Sequence, residues 1–151
     1  MFPRAHFLSC VILLIILHPF FGYWSLAVFI GGFFIDVDHY LWNIIEKRNF
    51  NILKGYREIS IESKKRMEKY RNAKKPVYLN LDMMHIFHVW EFWVLMFLLS
   101  FINKFFFIIF LGMVLHLSLD FYDMFKIQIY GCRAISFLGW LKRHGLRKQQ
   151  E

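Results

Sequence analysis

The chain has 151 residues, of which 58% are hydrophobic and 19 are Phe, and its formal net charge is +8. This apolar content exceeds that of an ordinary soluble domain of the same length, so the composition predicts a membrane protein. Two cysteines are too few for a disulfide framework. The basic charge comes without a recognisable nucleic-acid-binding motif, so no nucleic-acid partner is expected.

The first predicted element is a pair of apolar helices over residues 6–17 and 23–35. Pro19 and Gly22 lie between the two stretches and predict a turn. One continuous helix over residues 7–35 is the alternative. Because no small-x-small cleavage site follows the first stretch, we interpret it as a retained anchor rather than a cleaved signal peptide.

The second apolar stretch ends at the motif "DVDH", which contains Asp36, Asp38 and His39. A carboxylate at the centre of a bilayer costs about 2.5 to 3.5 kcal/mol, so the helix is expected to reach the membrane surface here. In a regular helix Asp36 and His39 would share a face and Asp38 would point away. Local unwinding is therefore expected if both carboxylates point inward.

Residues 46–80 form a polar and strongly basic segment, and eleven of the 19 Lys and Arg residues fall between positions 47 and 75. Basic clusters beside membrane helices usually lie in the cytoplasm and contact anionic headgroups. The sequence therefore predicts a basic cytoplasmic helical loop between the second and third membrane helices.

Two further apolar helices are predicted over residues 83–102 and 105–119. Only the third of the four apolar stretches reaches the roughly 20 residues that cross hydrocarbon comfortably. The basic residues 126–151 predict an interfacial amphipathic helix. The expected domains are a membrane helical domain over residues 1–125, with a cytoplasmic insertion at 46–80, and a basic amphipathic tail over 126–151.

The predicted fold class is all-α, as an integral membrane four-helix bundle. Both basic segments are placed in the cytoplasm only if an even number of helices crosses the membrane between them, and Arg4 favours a cytoplasmic start. We therefore expect a multi-pass protein of the inner (cytoplasmic) membrane with both termini in the cytoplasm and the lipid bilayer as its main partner.

Polar residues that do not suit a membrane helix gather at the predicted cytoplasmic ends. Six of the eleven acidic residues belong to three His-bearing clusters. The residues concerned are His6 on the first helix, Asp36, Asp38 and His39 on the second, Asp82, His85, His88 and Glu91 on the third, and His116, Asp120 and Asp123 on the fourth. The spacing of the last three places them on one helical stripe.

No Lys or Arg accompanies these clusters, so the missing positive charge is most simply one or two divalent metal ions. Histidine nitrogen together with carboxylate oxygen suits Zn, Mn or Fe, with Zn or Mn preferred here. The predicted ligands of this shared centre are His6, Asp36, Asp38, His39, His88, His116 and Asp120. A proton relay or a structural His–carboxylate network without metal is the alternative.

The motifs "DVDH", "HIFH" and "HLSLD", preceded by His6, resemble the predicted membrane-bound metal-dependent hydrolases of bacteria and archaea. That family has an early His, an Asp-x-Asp-His motif, a middle motif that typically reads His-Arg-Gly-x-Thr-His-Ser, and a later His followed by Asp. The middle motif here keeps only its final histidine, so the resemblance assigns His88 to the centre ahead of His85. It implies metal-dependent hydrolysis.

The leading hypothesis is a membrane-bound metal-dependent hydrolase that activates water at the cytoplasmic interface. Glu91 or Asp123 would act as the catalytic proton acceptor, and the substrate would be a lipid or phosphoester. A non-enzymatic membrane module, either a metal or proton carrier or a scaffold, is the first alternative. In the second alternative the basic loop recruits an acidic partner to the membrane.

Overall fold

The structure is a computed structural model, and the residues it describes are mainly helical. The described residues are 3–39, 41, 44, 50–51, 54–55, 57, 61, 65, 68, 77–78, 85–127, 129–130 and 135–148. The helices are α1 (Pro3–Phe21), α2 (Val28–Gly32), α3 (Trp90–Ser100), α4 (Lys104–Ile127) and α5 (Phe137–Lys148), with 3₁₀ turns at Gly22–Ala27, Phe34–Asp36 and Ile86–His88. Strands β1 (Val77–Tyr78) and β2 (Ile129–Tyr130) pair in parallel. The predicted helical fold class is confirmed.

The chain divides into two compact units. The first unit comprises Met1–Asp36 and Glu91–Asp123, and the second comprises Val37–Trp90 and Met124–Glu151. The first therefore contains α1, α2, nearly all of α3 and most of α4, whereas the second contains both strands and α5. The predicted domain boundaries stay a prediction.

A helical hairpin joins α1 to α2. Gly22 has φ of 57°, a left-handed conformation that glycine adopts without steric cost. The Ser25 hydroxyl donates to the Gly22 carbonyl oxygen over 2.6 Å. The rings of Phe7 and Phe33 lie 5.7 Å apart, whereas one straight helix would separate these residues by roughly 39 Å. The predicted hairpin is confirmed.

Helices α2 and α4 approach each other so closely that their contact requires glycine. A Cβ atom on Gly31 would collide with the carbonyl oxygen of Ile109, and a Cβ atom on Gly112 would collide with that of Val28. Small residues at such contacts are typical of packed membrane helices. On the other side of α4, the ring of Phe110 lies 5.5 Å from that of Phe97 in α3.

Two helical runs are long and apolar enough to cross a membrane, Arg4–His39 and Lys104–Lys126. The first run reverses direction at Gly22, so it consists of two antiparallel legs. In its most apolar window 11% of the residues are buried, and in that of the second run 28% are buried. Only a minority of the residues in either window is therefore fully buried.

The predicted start of the third apolar helix, at residue 83, is wrong. Within the described residues it begins at Trp90, after a 3₁₀ turn and an extended Val89 with ψ of 148°. Its 11 residues span only about 17 Å. Among the helices α1 to α5, the longest is instead α4, with 24 residues. Residues 85–89 depart from the α-helix because the Phe87 N–H donates to an Asp38 carboxylate oxygen over 3.1 Å.

In the basic segment the structure describes isolated positions only, and six of them are helical: residues 54, 55, 57, 61, 65 and 68. Asn51 caps this helical stretch, because its Oδ1 accepts a hydrogen bond from the Lys54 N–H over 3.0 Å. The other residues of the predicted loop lie outside the described residues, as do Asp82 and Cys132.

Candidate metal centres

Four side chains of the first unit form what we call the first His/Asp group: His6, Asp36, His116 and Asp120. His6 lies near the start of α1, and the hairpin brings the start of α1 beside the end of α2, close to Asp36. His116 and Asp120 lie one turn apart on α4. Three separate helical segments therefore contribute to this group.

The distances within the first group show that two ring nitrogens converge on the carboxylates. His116 Nε2 lies 3.3 Å from an Asp36 oxygen and 3.5 Å from an Asp120 oxygen. His6 Nε2 lies 3.5 Å from the other Asp120 oxygen. The two imidazole rings stack with centroids 4.1 Å apart. The predicted pairing of His116 with Asp120 at one-turn spacing is confirmed.

The backbone of α2 fixes the orientation of the His116 ring. His116 Nδ1 lies 3.0 Å from the carbonyl oxygen of Gly32, so Nδ1 carries the hydrogen and donates it. In a neutral ring Nε2 then presents a lone pair to the oxygens of Asp36 and Asp120. A lone pair facing carboxylates is repulsive, so a positive charge, either a proton or a cation, is required between them.

Burial differs among the members of the first group. His6 and His116 are buried, at 2% and 0% exposure. His6 Nδ1 has no hydrogen-bond partner among the described residues. The Asp36 side chain is 39% exposed and that of Asp120 15% exposed. The imidazoles are thus shielded from solvent, whereas Asp36 leaves an approach from outside.

Four side chains of the second unit form what we call the second His/Asp group: Asp38, His39, His85 and His88. One Asp38 oxygen accepts hydrogen bonds from the Phe87 N–H over 3.1 Å and from His88 Nδ1 over 2.9 Å. The rings of His39 and His85 lie 3.8 Å apart. His85 Nδ1 lies 3.9 Å from the other Asp38 oxygen. The 3₁₀ turn and the residue before it thus present His88 and His85 to Asp38.

The donor sets of both groups fit a divalent cation. One ligand atom from each of His6, His116 and Asp120 lies within 4.8 Å of the others, and the same holds for Asp38, His39 and His85. Asp38 is 3% exposed, and its Oδ1 has no hydrogen-bond partner among the described residues. A buried carboxylate oxygen without a partner is costly unless a proton or cation meets it.

The seven predicted ligands all lie in these two groups, four in the first and three in the second. The prediction of buried His/Asp clusters able to hold a metal is therefore confirmed. The identity and number of the ions, and the sharing of one ion by all seven residues, stay predictions. His85 was left out of the predicted ligand set, although it is 2% exposed and lies against His39 and Asp38. Its spacing of three from His88 was the available signal.

The two predicted proton acceptors are partly buried. Glu91 lies in the first turn of α3, and Asp123 lies one turn beyond Asp120 on α4. Their catalytic roles stay predictions. No family model, curated protein or solved structure matches this chain.

Proposed function

We propose that this protein is an integral membrane four-helix bundle whose α1–α2 hairpin, α3 and α4 lie in the bilayer. Support comes from the exposed apolar surfaces of the runs Arg4–His39 and Lys104–Lys126, because a helix in a soluble core would be mostly buried. Both termini lie in the cytoplasm in this proposal, and the basic residues of the loop and tail support that orientation. At 11 residues, α3 is shorter than the roughly 20 that a spanning helix needs, so the bilayer is thinned beside it.

Each His/Asp group holds one divalent cation, Zn or Mn, in this proposal. The observation that carries it is the orientation of His116, whose Nε2 faces two carboxylates while its Nδ1 is committed to the Gly32 carbonyl. A cation between these atoms replaces the repulsion by three favourable contacts. In the second group, Oδ1 of buried Asp38 has no hydrogen-bond partner within the described part of the chain, which supports the same conclusion.

The proposed activity is hydrolysis of a lipid or a lipid-linked phosphoester at the cytoplasmic surface. A divalent cation supplies Lewis acidity and makes water a nucleophile near neutral pH. The partial exposure of Asp36 gives water and substrate a route to the first group. Glu91 or Asp123 accepts the proton from water. The resemblance of "DVDH" and "HLSLD" to membrane-bound metal-dependent hydrolases supports this activity.

A non-enzymatic role as metal carrier or scaffold is the second candidate. His6, Asp36, His116 and Asp120 supply four donor side chains, which is enough to close a tetrahedral shell around Zn. A closed shell would lock α1, α2 and α4 together without binding water. Addition of thiocyanate to the Co-substituted protein separates the two candidates, because only a shell with an open position binds the anion and changes its visible spectrum.

The activity is tested with the full chain in lipid nanodiscs, by following release of phosphorylated headgroups and hydrolysis of a chromogenic phosphodiester. Asp36→Asn should lower the rate by at least about 100-fold, whereas Lys65→Glu, in the basic segment, should leave it unchanged. The reverse ranking would favour the basic loop as the functional element. Equal rates with and without chelator would contradict metal-dependent hydrolysis.

A further inference from the structure

Helix α5 carries exposed apolar residues beside basic residues. Leu138 and Leu141 are exposed at 64% and 45%, and Ile135, just before the helix, is exposed at 77%. Lys142 is also exposed. Apolar side chains of this size would aggregate in water unless another surface covers them.

The charge of this region identifies the chemistry of the surface that would cover it. Residues 124–150 contain six basic residues and no acidic residue, and four of the six lie in α5: Lys142, Arg143, Arg147 and Lys148. A basic helix with large apolar side chains is typical of helices that lie in the headgroup layer of a membrane. An uncharged apolar partner would leave this charge uncompensated.

Two hydrogen bonds hold the start of α5. The Ser136 hydroxyl oxygen accepts the Gly139 N–H over 3.1 Å and so caps the helix. The Ile135 carbonyl oxygen accepts the Trp90 N–H over 3.0 Å. Trp90 is the first residue of the apolar helix α3 and is itself exposed. Tryptophan is enriched at the headgroup level of membranes, so the contact with exposed Trp90 supports a position of the start of α5 at that level.

We propose that α5 binds the surface of an anionic bilayer, with Phe137, Leu138 and Leu141 at the boundary of the acyl chains and the Lys142 ammonium group on anionic headgroups. The inference rests on the membrane placement proposed above and is independent of the metal ions. A membrane of net negative charge would both cover the exposed apolar side chains and compensate the basic charge. The proposal therefore commits to anionic lipid as the partner of α5.

The test is hydrogen exchange of the full chain in two kinds of nanodisc. One contains phosphatidylcholine alone, and in the other one third of the lipid is phosphatidylglycerol. The backbone amides of α5 should exchange at least about tenfold more slowly in the anionic discs. The double variant Lys142→Glu/Arg143→Glu should lose this protection, and so should wild-type protein at high salt. The matched control Lys65→Glu/Arg57→Glu, in the basic segment, should keep it.

Three outcomes would overturn the inference. Equal protection in both discs would show that anionic lipid is not the partner. Equal protection in lipid-free detergent would show that α5 packs on the protein itself. Rapid exchange of α5 in both discs, while amides of α1 and α4 stay protected, would show that α5 does not lie on the membrane at all. Rapid exchange of α1 and α4 as well would instead contradict the membrane placement on which the inference rests.

Discussion

His116 and Gly32 lie 84 positions apart in the sequence, and the Nδ1 atom of His116 lies 3.0 Å from the Gly32 carbonyl oxygen. Gly32 also lies at the close contact between α2 and α4, where a Cβ atom would meet Cys10 and Gly112. The packing of the hairpin on α4 and the orientation of the His116 ring therefore depend on the same residue. A carbonyl that orients a metal-binding histidine is a common supporting contact in metal sites.

Replacement of His116 should empty the first group. In His116→Ala the carboxylates of Asp36 and Asp120 lose the nitrogen that faces both of them. The zinc affinity of the first group should therefore fall by at least about 100-fold. Competition with a chromogenic chelator measures this affinity in detergent. His18→Ala, at an exposed position of α1, is the matched control and should bind as wild type. Equal zinc affinities of the two variants would show that His116 is not a metal ligand of the first group.

Replacement of His85 should abolish metal binding by the second group and leave metal binding by the first group unchanged. His85→Ala removes the ring that lies against His39 and Asp38, so about one equivalent of metal should be lost. His6→Ala should likewise lose about one equivalent, and His6→Ala/His85→Ala should lose both. His144→Ala, in α5, is the control. Loss of all metal from either single variant would show that one shared centre holds the metal, rather than two.

These two predictions differ in how far the sequence supports them. His116 and Asp120 could be paired from their spacing alone, because residues four apart in a helix share a face. The conformation of residues 85–89 could not be predicted, because it depends on hydrogen bonds from Phe87 and His88 to Asp38, about 50 positions earlier. The predicted ligand set omits His85 because the resemblance matches only the final histidine of the middle motif, and the apolar pattern of residues 83–102 indicates only a helix.

Enlargement of Gly32 should destabilise the hairpin, and removal of the Cys10 thiol should partly restore it. The Cβ atom of Gly32→Ala would collide with Cys10 Sγ, which should cost about 1 to 3 kcal/mol of unfolding free energy. Cys10→Ala removes that sulfur, so the double variant should be more stable than the sum of the two single effects predicts. Thermal unfolding followed by tryptophan fluorescence measures each variant. Strictly additive effects of Gly32→Ala and Cys10→Ala on stability would contradict the close contact between these two residues.

Removal of metal should lower the stability of the folded protein. Without a cation, Nε2 of His116 faces the carboxylates of Asp36 and Asp120 unless a proton replaces the cation. Binding to the folded state alone stabilises it by about 4 kcal/mol at a free metal concentration 1,000 times the dissociation constant. Chelator should therefore lower the melting temperature by several degrees, and added Zn or Mn should restore it. His6→Ala/His85→Ala should show no response to chelator.

The hairpin and the motif "DVDH" show what the sequence specifies and what it leaves open. Gly22 predicted the turn correctly, because glycine alone tolerates its backbone conformation cheaply. Pro19 instead lies inside α1, two residues before its end. The departure from α-helix near Asp36 was also expected, and the 3₁₀ turn Phe34–Asp36 agrees with it. The close contact of Gly31 with α4 could not be predicted, because it depends on which helices pack together.

Elemental analysis of protein purified in detergent without exposure to chelator tests the central claim most directly. We predict about two equivalents of a divalent transition metal per chain, falling to about one in His116→Ala and in His85→Ala. Wild-type protein with less than about a tenth of an equivalent would show that protons, not metal ions, compensate these carboxylates, and it would contradict the metal-dependent function proposed here.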